Sequence, residues 1–95
     1  MPQNIQRLGD VNNDNARIVS VSQDSVYVND KLVSITGSPV EPHRYSNNHY
    51  THVNVKTGPG LDTLFIENEM VNRQGDNDTC GHQRMAGSDD VFIGE

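Results

Sequence analysis

Large core-filling side chains are scarce in this sequence: it has two Phe, three Tyr and no Trp, and only 33% of its 95 residues are hydrophobic. With a mean hydropathy of −0.69, the composition lies near the border with disorder. A chain of this length buries only a modest share of its surface in any case. A compact fold then calls for something besides an apolar core: a metal, a partner, or both. Cysteine occurs once, which excludes an internal disulfide and suits synthesis in a reducing compartment. Seven basic residues stand against thirteen acidic ones, for a formal charge of −6 and a pI near 5.0. That balance argues against nucleic acid, whose binding depends on neutralising phosphates, and no basic run marks anionic lipid. No apolar run reaches the length of a membrane span or of a signal-peptide core, so neither a stable membrane anchor nor a signal peptide is expected.

Helical periodicity is also missing, and short period-two runs recur in its place. They are Ile18–Val21, Ser25–Asp30, Lys31–Ile35, Tyr50–Val55, Thr63–Ile66, Glu69–Val71 and Val91–Ile93. Turn residues separate them: Asn29-Asp30, Gly37-Ser38-Pro39, Gly58-Pro59-Gly60, Glu67-Asn68 and Gly87-Ser88. Val26–Val33 and Leu64–Val71 both read as tight hairpins around two-residue turns. The fold class expected is all-β, in one domain spanning residues 1–95. Two phrases repeat in order. The strand phrase at Val26-Tyr27-Val28 returns at Leu64-Phe65-Ile66 and at Val91-Phe92-Ile93, each time after a Ser- or Gly-containing turn. Arg7-Leu8-Gly9-Asp10, Ile35-Thr36-Gly37-Ser38 and Arg73-Gln74-Gly75-Asp76 form the second phrase.

The strong transition-metal ligands fall in two groups: His43, His49 and His52, then Cys80 and His82. Cys80-Gly81-His82 brings two donors close, and the intervening Gly permits a sharp backbone course. His43 and His52 flank a polar loop long enough to return both side chains to one point. His52 precedes the Gly60 turn much as Cys80 precedes Gly87, which favours His52 over His49; His49 stays open as an alternative. Three His and one Cys fill a zinc tetrahedron and leave no position for water, so the expected site is structural. Zinc suits thiolate plus imidazole, with iron as the alternative metal. An open site with Asp76, Asp78 or Glu41 as general base would make a hydrolase. Motifs for metal, nucleophile or phosphate chemistry are lacking, however, and no enzyme is expected.

Gly75-Asp76-x-x-x-Cys80, followed by Gly87-Ser88-x-x-Val91-Phe92-Ile93-Gly94, resembles the PAAR-repeat proteins that tip the spikes of contractile phage tails and type VI secretion machines. In that family a Gly-Ser turn leads to a Val-Phe-Val-Asn-Gly strand, a Pro-Ala-Ala-Arg segment, and a Gly-Asp turn ending in Cys or His. Here Leu64-Phe65-Ile66-Glu67-Asn68, Met70-Val71-Asn72-Arg73 and Gly75-Asp76 keep that order. Only Arg73 of the naming tetrapeptide survives, and Leu32-Val33-Ser34-Ile35 keeps none of it. The resemblance covers residues 7–94. It implies a small conical fold of short hairpins with pseudo-threefold repeats, pinched near its point by zinc. The family's ligand positions carry over to Cys80, His43 and His52, with His82 completing the set by proximity. The implied partner is the blunt end of a trimeric β-helical spike, one copy per trimer, and the implied location is the virion tail tip. The protein would be made in the host cytoplasm and would touch a target cell's envelope only transiently. With no extension after the last repeat, the resemblance leans to a phage tail and away from a secretion machine. An independent zinc-binding recognition module is the alternative reading.

Overall fold

The computed structural model describes residues 2–44 and 51–94, with the backbone alone at positions 43, 44, 51 and 52. Eight short strands form: β1 (Gln3–Asn4), β2 (Tyr27–Val28), β3 (Lys31–Leu32), β4 (His43–Arg44), β5 (Thr51–His52), β6 (Leu61–Ile66), β7 (Glu69–Val71) and β8 (Phe92–Ile93). Of these, β2, β3 and β5 to β8 fall on the period-two segments, whereas β1 and β4 lie outside them. They pair antiparallel as β1·β8, β2·β3, β4·β5 and β6·β7. No helix occurs among the described residues, so none there is long and apolar enough to cross a membrane.

Both expected hairpins form. At Asn29-Asp30 (φ 54° and 65°) and Glu67-Asn68 (φ 51° and 69°) the two central residues are left-handed. This is the mirror-image turn whose twist matches that of paired strands. The third strand phrase behaves differently: Phe92 and Ile93 pair with Asn4 and Gln3, which brings the two ends of the chain together.

Three segments, 5–7, 33–35 and 71–73, each bridge both of the others, through Arg7↔Val33, Ile35↔Val71 and Ile5↔Arg73. The Ser34 N–H donates to Gln6 O (2.9 Å), the Asn72 N–H to Ser34 O (3.0 Å), and the Gln6 N–H to Asn72 O (3.0 Å), closing a ring. A second ring follows through Ile18↔Val40, Thr57↔Asp78 and Asn12↔Arg84. The repeated turn phrase joins the two. Asp10, Ser38 and Asp76 each donate a backbone N–H to the carbonyl three residues back, at 2.9–3.1 Å. Gly9, Gly37 and Gly75 hold φ of 90°, 91° and 94° in these turns, a conformation that costs Gly nothing sterically.

Such geometry explains why Ile18–Val21 and Val53–Val55 do not become the strands that their alternation predicts. Each segment changes partner after one or two residues: Arg17 bridges Val11, then Ile18 bridges Val40. Asn54, at φ 56°, ends the extended path after β5. Val19 and Val53, 53% and 60% exposed, consequently point away from the core.

The apolar interior divides into two small clusters. Ile5, Val33, Ile35 and Val71 underlie the β1·β8, β2·β3 and β6·β7 pairs, with Val28, Ile66 and Ile93 packed on them. Ala16, Ile18, Val40 and Val55 form the other cluster, on which Cys80 packs. Between and around them the interior is polar and bonded. Gln6, Gln23, Ser34, Asn72 and Thr57 are buried, Ser34 Oγ donates to Asn72 Oδ1 at 2.7 Å, and Gln23 Nε2 donates to Val33 O at 2.9 Å. The Cα radius of gyration is 12.4 Å, matching the ~12 Å of a compact chain of this length. A hydrogen-bonded polar interior is thus a third source of compactness, beside the metal and the partner that composition suggested.

Candidate metal centre

Beyond the second ring the chain reverses three times, at Asn13–Asn15, across 41–54, and at Thr79–Gly81. Left-handed residues close these reversals: Asn15 (φ 59°), Asn54 (φ 56°) and Gly81 (φ 95°). The expected ligands belong to the second and third reversals. In the third, the Gly81 N–H donates to Asp78 O at 2.9 Å and the Asp78 N–H to His82 O at 2.7 Å. The tight loop brings Cys80 Sγ to 3.4 Å from His82 Nδ1. Two tetrahedral zinc ligands, with bonds of about 2.3 Å to sulfur and about 2.0–2.1 Å to nitrogen, stand about 3.6 Å apart. The observed separation therefore suits a shared metal as well as a sulfur–imidazole hydrogen bond. Both side chains are half-buried, and Cys80 rests on the cluster that holds Val40 and Val55.

The second reversal contains β4 and β5, where His43 and His52 are direct cross-strand partners. Directly opposed positions of an antiparallel pair share one face, with Cα atoms about 4.5–5.5 Å apart. The described side chains do not include those of His43 and His52, and His49 lies outside the described residues altogether. Among the described residues no group of three or more His, Cys, Asp or Glu side chains gathers as a metal site. The roots of the two reversals are nonetheless tied. The Thr79 N–H donates to Lys56 O at 2.8 Å, and the Lys56 N–H donates to Thr79 Oγ1 at 3.1 Å. Thr79 immediately precedes Cys80, and Lys56 immediately follows Val55.

The carboxylates considered as general bases are all engaged. Glu41 accepts from the Arg17 N–H at 2.8 Å and lies 3.4 Å from its guanidinium. Asp76 accepts from the Arg73 N–H at 2.8 Å; burial raises its carboxyl above the ordinary 3.8, against the opposing Arg73 bonds. Asp78 is neither a solvated turn residue nor open to substrate. Its side chain and that of Arg84 are both 0% exposed and meet at 3.0 Å. Asn12 Nδ2 donates to the same Asp78 oxygen at 2.9 Å, and the Arg84 guanidinium also donates to Asp10 O (3.3 Å) and Ala16 O (3.2 Å). Burial pushes Arg84 below its usual pKa, while Asp78, Asp10 and Cys80 act in the other direction.

Sequence reasoning missed this network. The available signal was an acid and a base placed symmetrically about the ligand pair, Asp78 two residues before Cys80 and Arg84 two after His82. Neither a protein-family model nor a curated protein matches the chain.

Proposed function

We propose that this protein is a PAAR-like structural tip, a small pseudo-threefold cone that caps and sharpens the trimeric β-helical spike of a contractile tail, a phage tail in preference to a secretion machine. The observation that carries this reading is the double ring of backbone bonds. Three chain segments make equivalent connections, joined by three equivalent glycine turns. Read as three turns about one axis, such a path would suit a partner with three identical chains. The β1·β8, β2·β3 and β6·β7 pairs share one apolar cluster beneath them. Their other sides carry Phe92, Tyr27 and Phe65, 52–58% exposed, at matching places in the strand phrase. Three aromatic contacts, one for each spike chain, are what a threefold receiving face would cover.

Zinc belongs to the same reading, with iron as the alternative metal. His43, His52, Cys80 and His82 would hold it, and when bound it supplies a coordinate cross-link between the two reversals. The 3.4 Å approach of Cys80 to His82 and the His43↔His52 register support that set. Four protein ligands would leave no position for a water nucleophile, so the role is mechanical. The protein would reside at the virion tail tip and meet a target envelope only while it is being driven through. The independent recognition module has no observation in its favour.

The test is native mass spectrometry of the purified chain with a trimeric tail-spike protein from the same particle. One chain per trimer is the expected result, with Phe65→Ser plus Phe92→Ser abolishing the complex. Three chains per trimer, or none, would overturn the proposal.

A further inference from the structure

Asp78 does two jobs in the loop that carries Cys80 and His82. Its backbone closes the loop from both sides, accepting from the Gly81 N–H and donating to His82 O. Its side chain is clamped by Arg84 and Asn12. Asn12 occupies the corresponding place in the first reversal, with its N–H on Ala16 O and its carbonyl accepting from the Asn15 N–H. There the side-chain oxygen is spent locally, accepting from the N–H groups of Asp14 and Ala16, while Nδ2 reaches across to Asp78. The loop carrying the thiol is therefore the one whose root is locked by a buried ion pair. Arg84 carries the lock across to a neighbouring reversal through the carbonyls of Asp10 and Ala16. The lock has an energetic peculiarity as well: Asp78 Oδ1 and Arg84 Nε are buried without a hydrogen-bond partner among the described residues. Apolar side chains of similar volume are often no worse for stability than a buried ion pair. Fold stability alone thus gives a weak account of why the pair stands here.

We infer that Asp78 and Arg84 are positioning residues for the metal centre, fixing the loop root so that Cys80 and His82 are held as a preformed chelating pair. The inference rests on the zinc reading above and extends it to residues that touch no metal. Outer partners that orient ligands commonly alter metal affinity 10–100-fold when removed.

The test compares the parent chain with the double variant Asp78→Leu/Arg84→Met, in which the charges leave together and neither is stranded. Zinc affinity is read by competition with a chelator, the metal-free melting temperature by circular dichroism, and the ligand set by the thiolate charge-transfer band of the Co²⁺ form. The expected result is a metal-free melting temperature at or above the parent's, with zinc bound about 10–100-fold more weakly and a diminished band. A merely structural pair would leave affinity and band in step with stability, and parental affinity in the double variant would overturn the inference. Should that variant fail to fold, Arg84→Lys keeps the charge but loses the planar fork that reaches Asp10 and Ala16. A smaller weakening is then expected, and none would overturn the inference. A parent chain that binds no zinc would instead sink the metal reading itself, a result distinct from either of these.

Discussion

Gly81 separates the thiol from the imidazole at φ 95°, a conformation in which a Cβ meets its own backbone. Nothing else crowds that position, so Gly81→Ala isolates backbone strain. It should lower stability by about 1–2 kcal/mol, measured by urea denaturation of the metal-free chain. Two carboxyls make opposite predictions about acid. Asp90 accepts from Asn29 Nδ2 and Ser88 Oγ, bonds that hold it below the ordinary 3.8. Its contribution to stability is present above 3.8 and is lost as pH falls through its folded value. Asp76, raised chiefly by burial, contributes below 3.8 and loses that contribution as pH rises through its folded value. Carboxyl ¹³C NMR titration should place the Asp90 midpoint below 3.8 and the Asp76 midpoint above it; the reverse order would contradict both environments.

At the scale of elements, the β2–β3 and β6–β7 hairpins were legible because alternation and two-residue turns are local signals. The turns run on Asn29-Asp30 and Glu67-Asn68 with no glycine, although left-handed φ at both positions favours it. Relief of about 1–2 kcal/mol of left-handed strain, less the roughly 0.5–1 kcal/mol that glycine's flexibility costs, means that Asp30→Gly should raise the melting temperature, while Asn29 keeps its bonds to Arg7 and Ser88. A lower melting temperature would show that Asp30 has a role these contacts do not include. The turn phrase around Gly9, Gly37 and Gly75 was likewise visible as a repeat. Its meaning, a connector between two rings, was not, because the rings are bonds between segments far apart in sequence. Ile18–Val21 misled for the same reason. Alternation reports a pleated surface, and a chain that changes partner every two residues has little ladder to pleat.

The whole molecule illustrates what composition leaves unsaid. Few apolar residues suggested that a metal or a partner must supply stability, yet the buried side chains of Gln6, Ser34 and Asn72 are hydrogen-bonded, Gln6 through Nε2 to Met85 O, Ser34 to Asn72, and Asn72 to Gly58 O. Buried polar side chains cannot be told from exposed ones by residue type, so the complete burial of the Asp78 and Arg84 side chains was not legible in the sequence. Within the candidate site, the closeness of Cys80 and His82 follows from Gly81, and the return of the loop from His43 to His52 was expected from its length, while their direct register depends on where β4 meets β5. If zinc joins the two reversals, its removal should lower the melting temperature by on the order of 10 °C or more, since each kcal/mol moves the midpoint of a domain this small by ~4–8 °C. An unchanged midpoint after exhaustive chelation would mean that the polar interior holds the fold alone. Zinc K-edge X-ray absorption on the purified protein goes to the centre of the account. One sulfur and three nitrogen neighbours are predicted, with no oxygen in the shell; a zinc-free chain, or a shell containing water, would contradict it.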